Sequence, residues 1–425
     1  MLRKNFRTRI LKTLFLAGLC LITLSSCSSR KDDPLVIWTN NKEFAIYIEH
    51  YNATHSNSKA ILVYKEEPSR SLPPAKDEPT PDLVIGSWLK NSTTRKYFSP
   101  LDYLFQENGL NRSIFYEQII DYGVINEKQY IIPISFNTPM IAYDARQDGN
   151  LPAKKTINLE QIKQAAISFN TLDKSQNYTA MGFAPIWDAD FLYFVSKVMG
   201  ASYREKGTNF SWNEDAMANT AAYLKKWTQD ANRDTTTEQN FNFKYLPMPE
   251  YKQVMSGRCL FAYMTSQDFF TLLPSQSQPL GFKWIEQNGS LAIEDSIISV
   301  GLYKHAKHTK QAEQFLSWFF TEQTQIELLD LQEEMKLDTR IFGIASGFSS
   351  IAQVNEKSYT SHYPQLLGAL PDAKILTLPN ILPYRWQSLK EQVIIPYLED
   401  RISTNSTKSP ASLEDRIADW SKQFF

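Results

Sequence analysis

Cys27 carries the clearest chemistry in the chain. It closes the run Leu24-Ser25-Ser26-Cys27, in which small residues precede the thiol and an aliphatic residue stands three places before it. That spacing is the pattern of a bacterial lipobox, in which the thiol takes a diacylglycerol and the leader is removed after Ser26. In front of it lie Arg3, Lys4, Arg7, Arg9 and Lys12 without an acidic residue, and then the apolar run Leu14 to Leu24. Basic, apolar and small segments in that order make a secretory signal. The apolar run is shorter than the about 20 residues that span a membrane. Ser28 to Asp33 follow as a polar tether.

Other reactive patterns are weaker. Cys20 leaves with the leader, so Cys259 is the one thiol of the mature chain that stays free, and no intramolecular disulfide can form. It sits in Cys259-Leu260-Phe261-Ala262-Tyr263-Met264, a strand pattern in which a buried structural thiol is expected. Asp230-x-Asn232-x-Asp234 begins like a calcium loop, but Thr235 and Phe241 occupy the positions that need Gly and Glu. The five His residues are scattered, and no Gly-x-Ser-x-Gly elbow, His-Glu-x-x-His pair or phosphate loop is present. Neither catalysis nor a cofactor nor a metal is expected.

Composition narrows the partners. Without the five basic leader residues the chain holds 40 basic against 46 acidic residues, a net charge of −6. A nucleic-acid partner would call for a basic stripe instead. Hydrophobic residues make up 42% of 425 positions, enough for more than one core.

The elements that must position any site begin with Leu35-Val36-Ile37-Trp38-Thr39, a continuous apolar strand. A helix over Glu43 to Tyr51 and strands at Ala60 to Tyr64 and Leu83 to Gly86 follow, an order that predicts a parallel sheet covered on both faces. Between the last two, residues 66–82 contain five prolines and read as an extended surface loop. Further helices are expected at 101–108, 158–168, 190–199, 214–230, 311–320, 321–331, 384–402 and 413–424. Further strands are expected at 129–134, 140–143, 258–264 and 296–303.

In this order the motifs resemble a family 1 extracellular solute-binding protein, the lipoprotein receptor of a carbohydrate ABC importer. The resemblance rests on Leu35 to Asn40, Pro81-Asp82-Leu83-Val84-Ile85-Gly86, Tyr130 to Asp144, Ser256-Gly257-Arg258 running into Phe261 to Thr265, and Ser299 to Lys304 followed by Lys310 to Leu316. It departs at the Pro-rich loop, where relatives usually carry a helix, and at Asp268-Phe269, where many have Trp. It implies an α/β, two-lobed periplasmic-binding-protein type II fold whose lobes share a multi-crossing hinge. Residues 1–26 would be signal peptide, 27–34 tether, 35–135 and 299–342 the first lobe, and 139–295 and 346–425 the second. The crossings would fall near Ser135 to Thr138, Asp295 to Ser299 and Arg340 to Ser346.

A sugar presents apolar C–H faces and many hydroxyls, so its receptor needs aromatic platforms and planar polar side chains. Trp187 and Asp188 combine both before a second-lobe helix; a capped helix start with a packed Trp is the alternative. Trp386, beside Arg385, matches an aromatic that relatives place at a late helix start. Asn137 at the first crossing, Trp88 after the third strand, and Asn40 and Glu43 after the first complete the leading candidates. Gln267, Asp268 and Asp295 are further ones. The expected protein is a monomer, held outside the cytoplasm by lipid at Cys27, that hands a carbohydrate to an ABC permease. Two other roles fit the same residues: a surface lipoprotein that keeps the fold for adhesion, and a receptor for a polyamine or a metal chelate.

Overall fold

A computed structural model describes residues 33–424 apart from 108, 208, 338–339 and 406–409. The leader, Cys27 and nearly all of the tether therefore lie outside the described residues. Two six-stranded sheets organise the chain. In the first, Ala60–Tyr64, Leu35–Thr39 and Leu83–Gly86 run parallel, with Leu35 opposite Ala60 and Ile37 opposite Leu83. Ile298–Leu302 then adds antiparallel, Val300 facing Ile85, so the sheet is mixed rather than wholly parallel. Ile131–Phe136 and Phe348–Ser349 complete it.

The second sheet is built on Pro139–Asp144, flanked antiparallel by Phe261–Thr265 and Leu280–Gln287. Ser290–Ala292, Leu376–Thr377 and Thr156–Ile157 extend it. Leu280–Gln287 is central, yet its sequence hides it: Gly281 and Lys283 interrupt the apolar run. Gly281 is required because a Cβ there would meet the Tyr143 ring at 2.7 Å. Lys283 is buried along its stem and donates its ammonium to the Lys154 carbonyl at 3.0 Å.

Helices cover these sheets much as their periodicity predicts. Thr309–Phe319 buries Phe315 and Phe319 against Tyr51 and Phe44 of the Glu43–Thr54 helix, with ring centroids 5.1 to 5.5 Å apart. Leu159–Phe169, Ala189–Val198 and Glu214–Asn232 build the second lobe around Trp227. Three expectations need correction. Only a short 3-10 turn, Asp102–Phe105, forms where a helix was expected from 101. Thr235–Tyr245 and Glu250–Met255 are helices that polar residues and Pro249 masked. The Pro-rich segment is irregular but not simply a surface loop: Ser69 and Leu72 are buried, and the Ser69 carbonyl accepts from Thr94 Oγ1 at 3.2 Å.

The chain passes between sheets at Asn137-Thr138 and again between Ala292 and Ile298. The third passage lies later than Arg340 to Ser346. Phe348 and Ser349 still pair with Phe136 and Ser135 of the first sheet, and Tyr359 packs on Phe348 there. The chain reaches the second sheet only at Leu376–Thr377. The Arg340–Ser346 stretch touches both lobes: Phe342 stacks on Phe270 with ring centroids 4.8 Å apart, while Ala345 and Ser346 are in left-handed backbone and Ala345 N–H donates to Tyr47 Oη at 3.1 Å.

Candidate functional site

Where strand ends from the two sheets approach each other, short loops leave polar side chains in a shared crevice. The first lobe contributes Trp88, two residues beyond the Leu83–Gly86 strand. Its backbone is left-handed, φ 64°, and its carbonyl accepts from Asn91 Nδ2 at 2.7 Å. A β-carbon in that conformation costs about 1–2 kcal/mol. The indole packs across the gap against the second-lobe core.

A cavity of about 350 Å³ opens beside it, lined across the gap by Asp188, Tyr263, Asp268, Glu294 and Lys390 among others. A second cavity of about 240 Å³ lies on its other flank, between Asn40 and Pro68 of one lobe and Tyr384 and Gln392 of the other. Trp88 and Gln387 line both, so the two form one crevice partitioned by an aromatic side chain. A further cavity of about 280 Å³, around Lys197, Tyr203 and Asn380, lies wholly in the second lobe. It has no wall that closure could bring, and the crevice between lobes is therefore the candidate site.

Each second-lobe group is placed by a local rule. Asp188 is the N-cap of Ala189–Val198, its Oδ1 accepting from Phe191 N at 3.0 Å. Burial pushes its carboxyl up to about 6, with Asp190 and Asp268 adding repulsion. Asp268 closes a capping box with Thr265 at the start of Ser266–Phe270. Glu294 sits on the extended second crossing, and burial raises it to about 7 while Lys197 and Lys390 oppose the shift. Lys390 is ion-paired with Asp190 at 3.0 Å. Tyr263 stands on the Phe261–Thr265 strand with its ring edge-on to Phe191, centroids 5.4 Å apart.

Several expected contacts are spent elsewhere. Trp386 is 1% exposed, wedged between Tyr203 and Phe210, with its indole N–H donated to Asp295 at 3.1 Å. Its ring packs into the second-lobe core, while the residue also borders the smaller cavity of the crevice. Asp295 is likewise engaged, by Lys197 at 2.5 Å and by the Tyr193 hydroxyl. Asn137 joins the hinge: its amide donates to the Ser346 carbonyl at 2.8 Å and accepts from Ser266 Oγ at 2.6 Å. Glu43 is buried and accepts from Ser346 Oγ. Trp187 stacks on Phe241 at 5.6 Å and donates to the Glu238 carbonyl at 2.9 Å, so it borders a neighbouring cavity with Cys259 rather than the crevice. Asn40 lines the smaller cavity while donating to the Glu66 carbonyl at 3.0 Å. Gln267 is exposed one residue before Asp268 and borders neither cavity.

Sequence reasoning missed Tyr263, Glu294, Asp190 and Lys390. Tyr263 reads as core because it shares a strand face with Phe261. Glu294 adjoins the selected Asp295, and on an extended segment neighbours point to opposite sides. That alternation was the one available signal.

Two lobes around a crevice partitioned by an aromatic side chain define a class of protein, a solute receptor. The model of the bacterial extracellular solute-binding protein family matches residues 67–333, and the chain belongs to that family. Its members are receptors, not enzymes. Solved structures share the fold at low identity. A maltose-binding periplasmic protein from Listeria monocytogenes, in complex with maltose, is 16% identical with a TM-score of 0.61, covering 92% of this chain and 98% of its own. The protein CpMnBP1 with mannotriose bound is 16% identical with a TM-score of 0.60, covering 92% and 99%. The galacto-N-biose/lacto-N-biose-binding protein of a Bifidobacterium longum ABC transporter is 13% identical with a TM-score of 0.60, covering 93% and 98%. No curated protein sequence matches the chain.

Proposed function

We propose that this protein is a lipid-anchored receptor that captures a carbohydrate in the crevice between its lobes and delivers it to an ABC importer permease. The observation that carries the reading is Trp88, a strained indole from one lobe set against carboxylates, a tyrosine and an amide from the other. A flat apolar face opposite many hydrogen-bonding groups suits a pyranose ring and its hydroxyls. The structural neighbours named above bind di- and oligosaccharides, which supports the ligand class. The lobes would close because the ligand touches both, favouring the closed state by differential contact.

Titration with a sugar panel tests this, read by tryptophan fluorescence. At least one sugar is expected to change the emission saturably, and silence across neutral and amino sugars would overturn the ligand class. The anchor has its own test. Palmitate label should enter the wild type and vanish in Cys27→Ala; label retained in that variant would remove the anchor from the proposal.

A further inference from the structure

The larger cavity carries more negative charge than a neutral sugar needs. Asp188, Asp190, Asp268 and Glu294 all line it, against one cation, Lys390, which Asp190 already engages at 3.0 Å. The Glu294 carboxylate accepts no hydrogen bond and directly pairs with no cation among the described residues. Tyr263 provides an independent sign. Its side chain is 6% exposed and lines the cavity, yet its hydroxyl has no hydrogen-bond partner among the described residues. Burial first, and then the charges of Glu294, Asp188, Asp190 and Asp268, push the pKa of that hydroxyl well above the ordinary value. A neutral phenol that opens onto the cavity among carboxylates can turn its O–H to one of them and offer its lone pairs to a donor from the solute.

Taking the interlobe crevice as the solute site, as proposed above, we infer that the solute bears a protonated amine seated among Tyr263, Glu294 and Asp188, making it an amino sugar rather than a neutral one. An ammonium brings three donors and a positive charge, matching one phenol oxygen and carboxylates that otherwise repel each other. A neutral sugar would strip water from the same carboxylates without replacing the lost charge stabilisation. A bare metal ion fits poorly, because among the described residues no group of three or more Asp, Glu, His or Cys side chains is gathered tightly enough to hold one. Trp88 on the opposite wall can cover the sugar's apolar face and attract the cation through its π system.

Isothermal titration of the full-length chain in detergent, at pH 7.5, decides the matter with four probes: the disaccharide of glucosamine, its di-N-acetylated counterpart, maltose and spermidine. Acetylation removes the charge and keeps the ring. The amine disaccharide is expected to bind at least about tenfold tighter than its acetylated form, the scale of one lost buried charge contact. In Glu294→Gln that preference should shrink to about threefold or less. Equal or tighter binding of the acetylated disaccharide or maltose overturns the inference and leaves the carbohydrate reading standing. Binding of spermidine with neither amine nor neutral sugar bound upholds the cation but overturns the carbohydrate reading. Failure of both amine probes to bind overturns the inference whether or not the variant folds.

Discussion

Trp88 holds its backbone at φ 64°, a conformation that penalises any side chain and gains nothing for the first-lobe core. Its indole is instead packed against the other lobe. This makes two substitutions informative together. Trp88→Ala should weaken sugar binding by about 10- to 100-fold, as for a central aromatic anchor. Trp88→Gly should weaken it similarly yet melt at a higher temperature than Trp88→Ala, since glycine recovers about 1 kcal/mol of left-handed strain. Equal melting temperatures by calorimetry would remove the strain argument. Cys259 gives an opposite kind of test. Burial pushes its thiol up to about 12, with Glu250 adding, and Sγ lies 3.5 Å from Gln253 Oε1. Only thiolate reacts appreciably, so the Cys20→Ala/Cys27→Ala double variant, whose single thiol is Cys259, should leave Ellman's reagent untouched at pH 8 until denaturant is added; immediate release of colour would contradict the packing.

The helix Thr235–Tyr245 carries a carboxyl that lines neither cavity of the crevice and bears on how stability depends on pH. Glu238 is fully buried, bonded by Asn232 Nδ2 at 2.7 Å and Thr228 Oγ1 at 3.2 Å, with no cation paired to it among the described residues. Burial raises it from the ordinary 4.5 to about 7. A carboxyl raised in the folded state binds its proton more tightly there than in the unfolded chain. Its destabilising effect is therefore absent below about 4.5, grows between 4.5 and 7, and is complete above 7. Glu294 and Glu250, also raised to about 7, act in the same direction. The melting temperature should thus rise as pH falls from 8 to 5.5, and Glu238→Gln should reduce that rise and melt at least about 2 °C higher than wild type at pH 8. A flat profile in both proteins would refute it. At this scale the sequence was readable where one pattern dominated. Leu35–Thr39 and Leu83–Gly86 are unbroken apolar runs, and Thr309–Phe319 keeps its aromatic residues on one face. Leu280–Gln287 was not readable, because its Gly and Lys answer to Tyr143 and Lys154 in other elements. The crevice was legible through Trp88, Asp188 and Asp268 on the larger cavity and Asn40 on the smaller, which border it from loops that the strand pattern locates. Trp386 and Asp295 looked equivalent in sequence, and only the packing of Tyr203, Phe210 and Lys197 around them turns both inward.

For the whole molecule, the balance between open and closed lobes decides affinity, and direct contacts between lobes set that balance before any ligand arrives. One is polar and specific. Ser92, behind Trp88, donates its backbone N–H to Glu205 Oε2 at 3.0 Å and its hydroxyl to Oε1 at 2.6 Å. Glu205 belongs to the Arg204–Ser211 hairpin of the second lobe, which is tied to the late segment through Glu205 N–H to the Ile381 carbonyl at 2.7 Å. A weaker contact joins the Tyr384 hydroxyl to the Arg70 carbonyl at 3.5 Å. Ser92 and Glu205 line neither cavity of the crevice, so their bonds act on the solute through the population of the closed form. Apparent affinity falls in proportion to the fraction of closed, competent molecules. Glu205→Ala removes charge-assisted bonds present only when the lobes meet, which at a partly exposed carboxylate contribute less than the net ~1.5–3 kcal/mol of a bond to a buried charge. The variant should bind every accepted ligand about three- to tenfold more weakly, without changing the ranking among ligands. Small-angle scattering of the unliganded variant should show a larger radius of gyration than wild type, with saturating ligand bringing the two together. A change in ligand ranking would place Glu205 in the site itself. Unchanged affinity and radius would mean that Trp88 and the hinge hold the lobes without it.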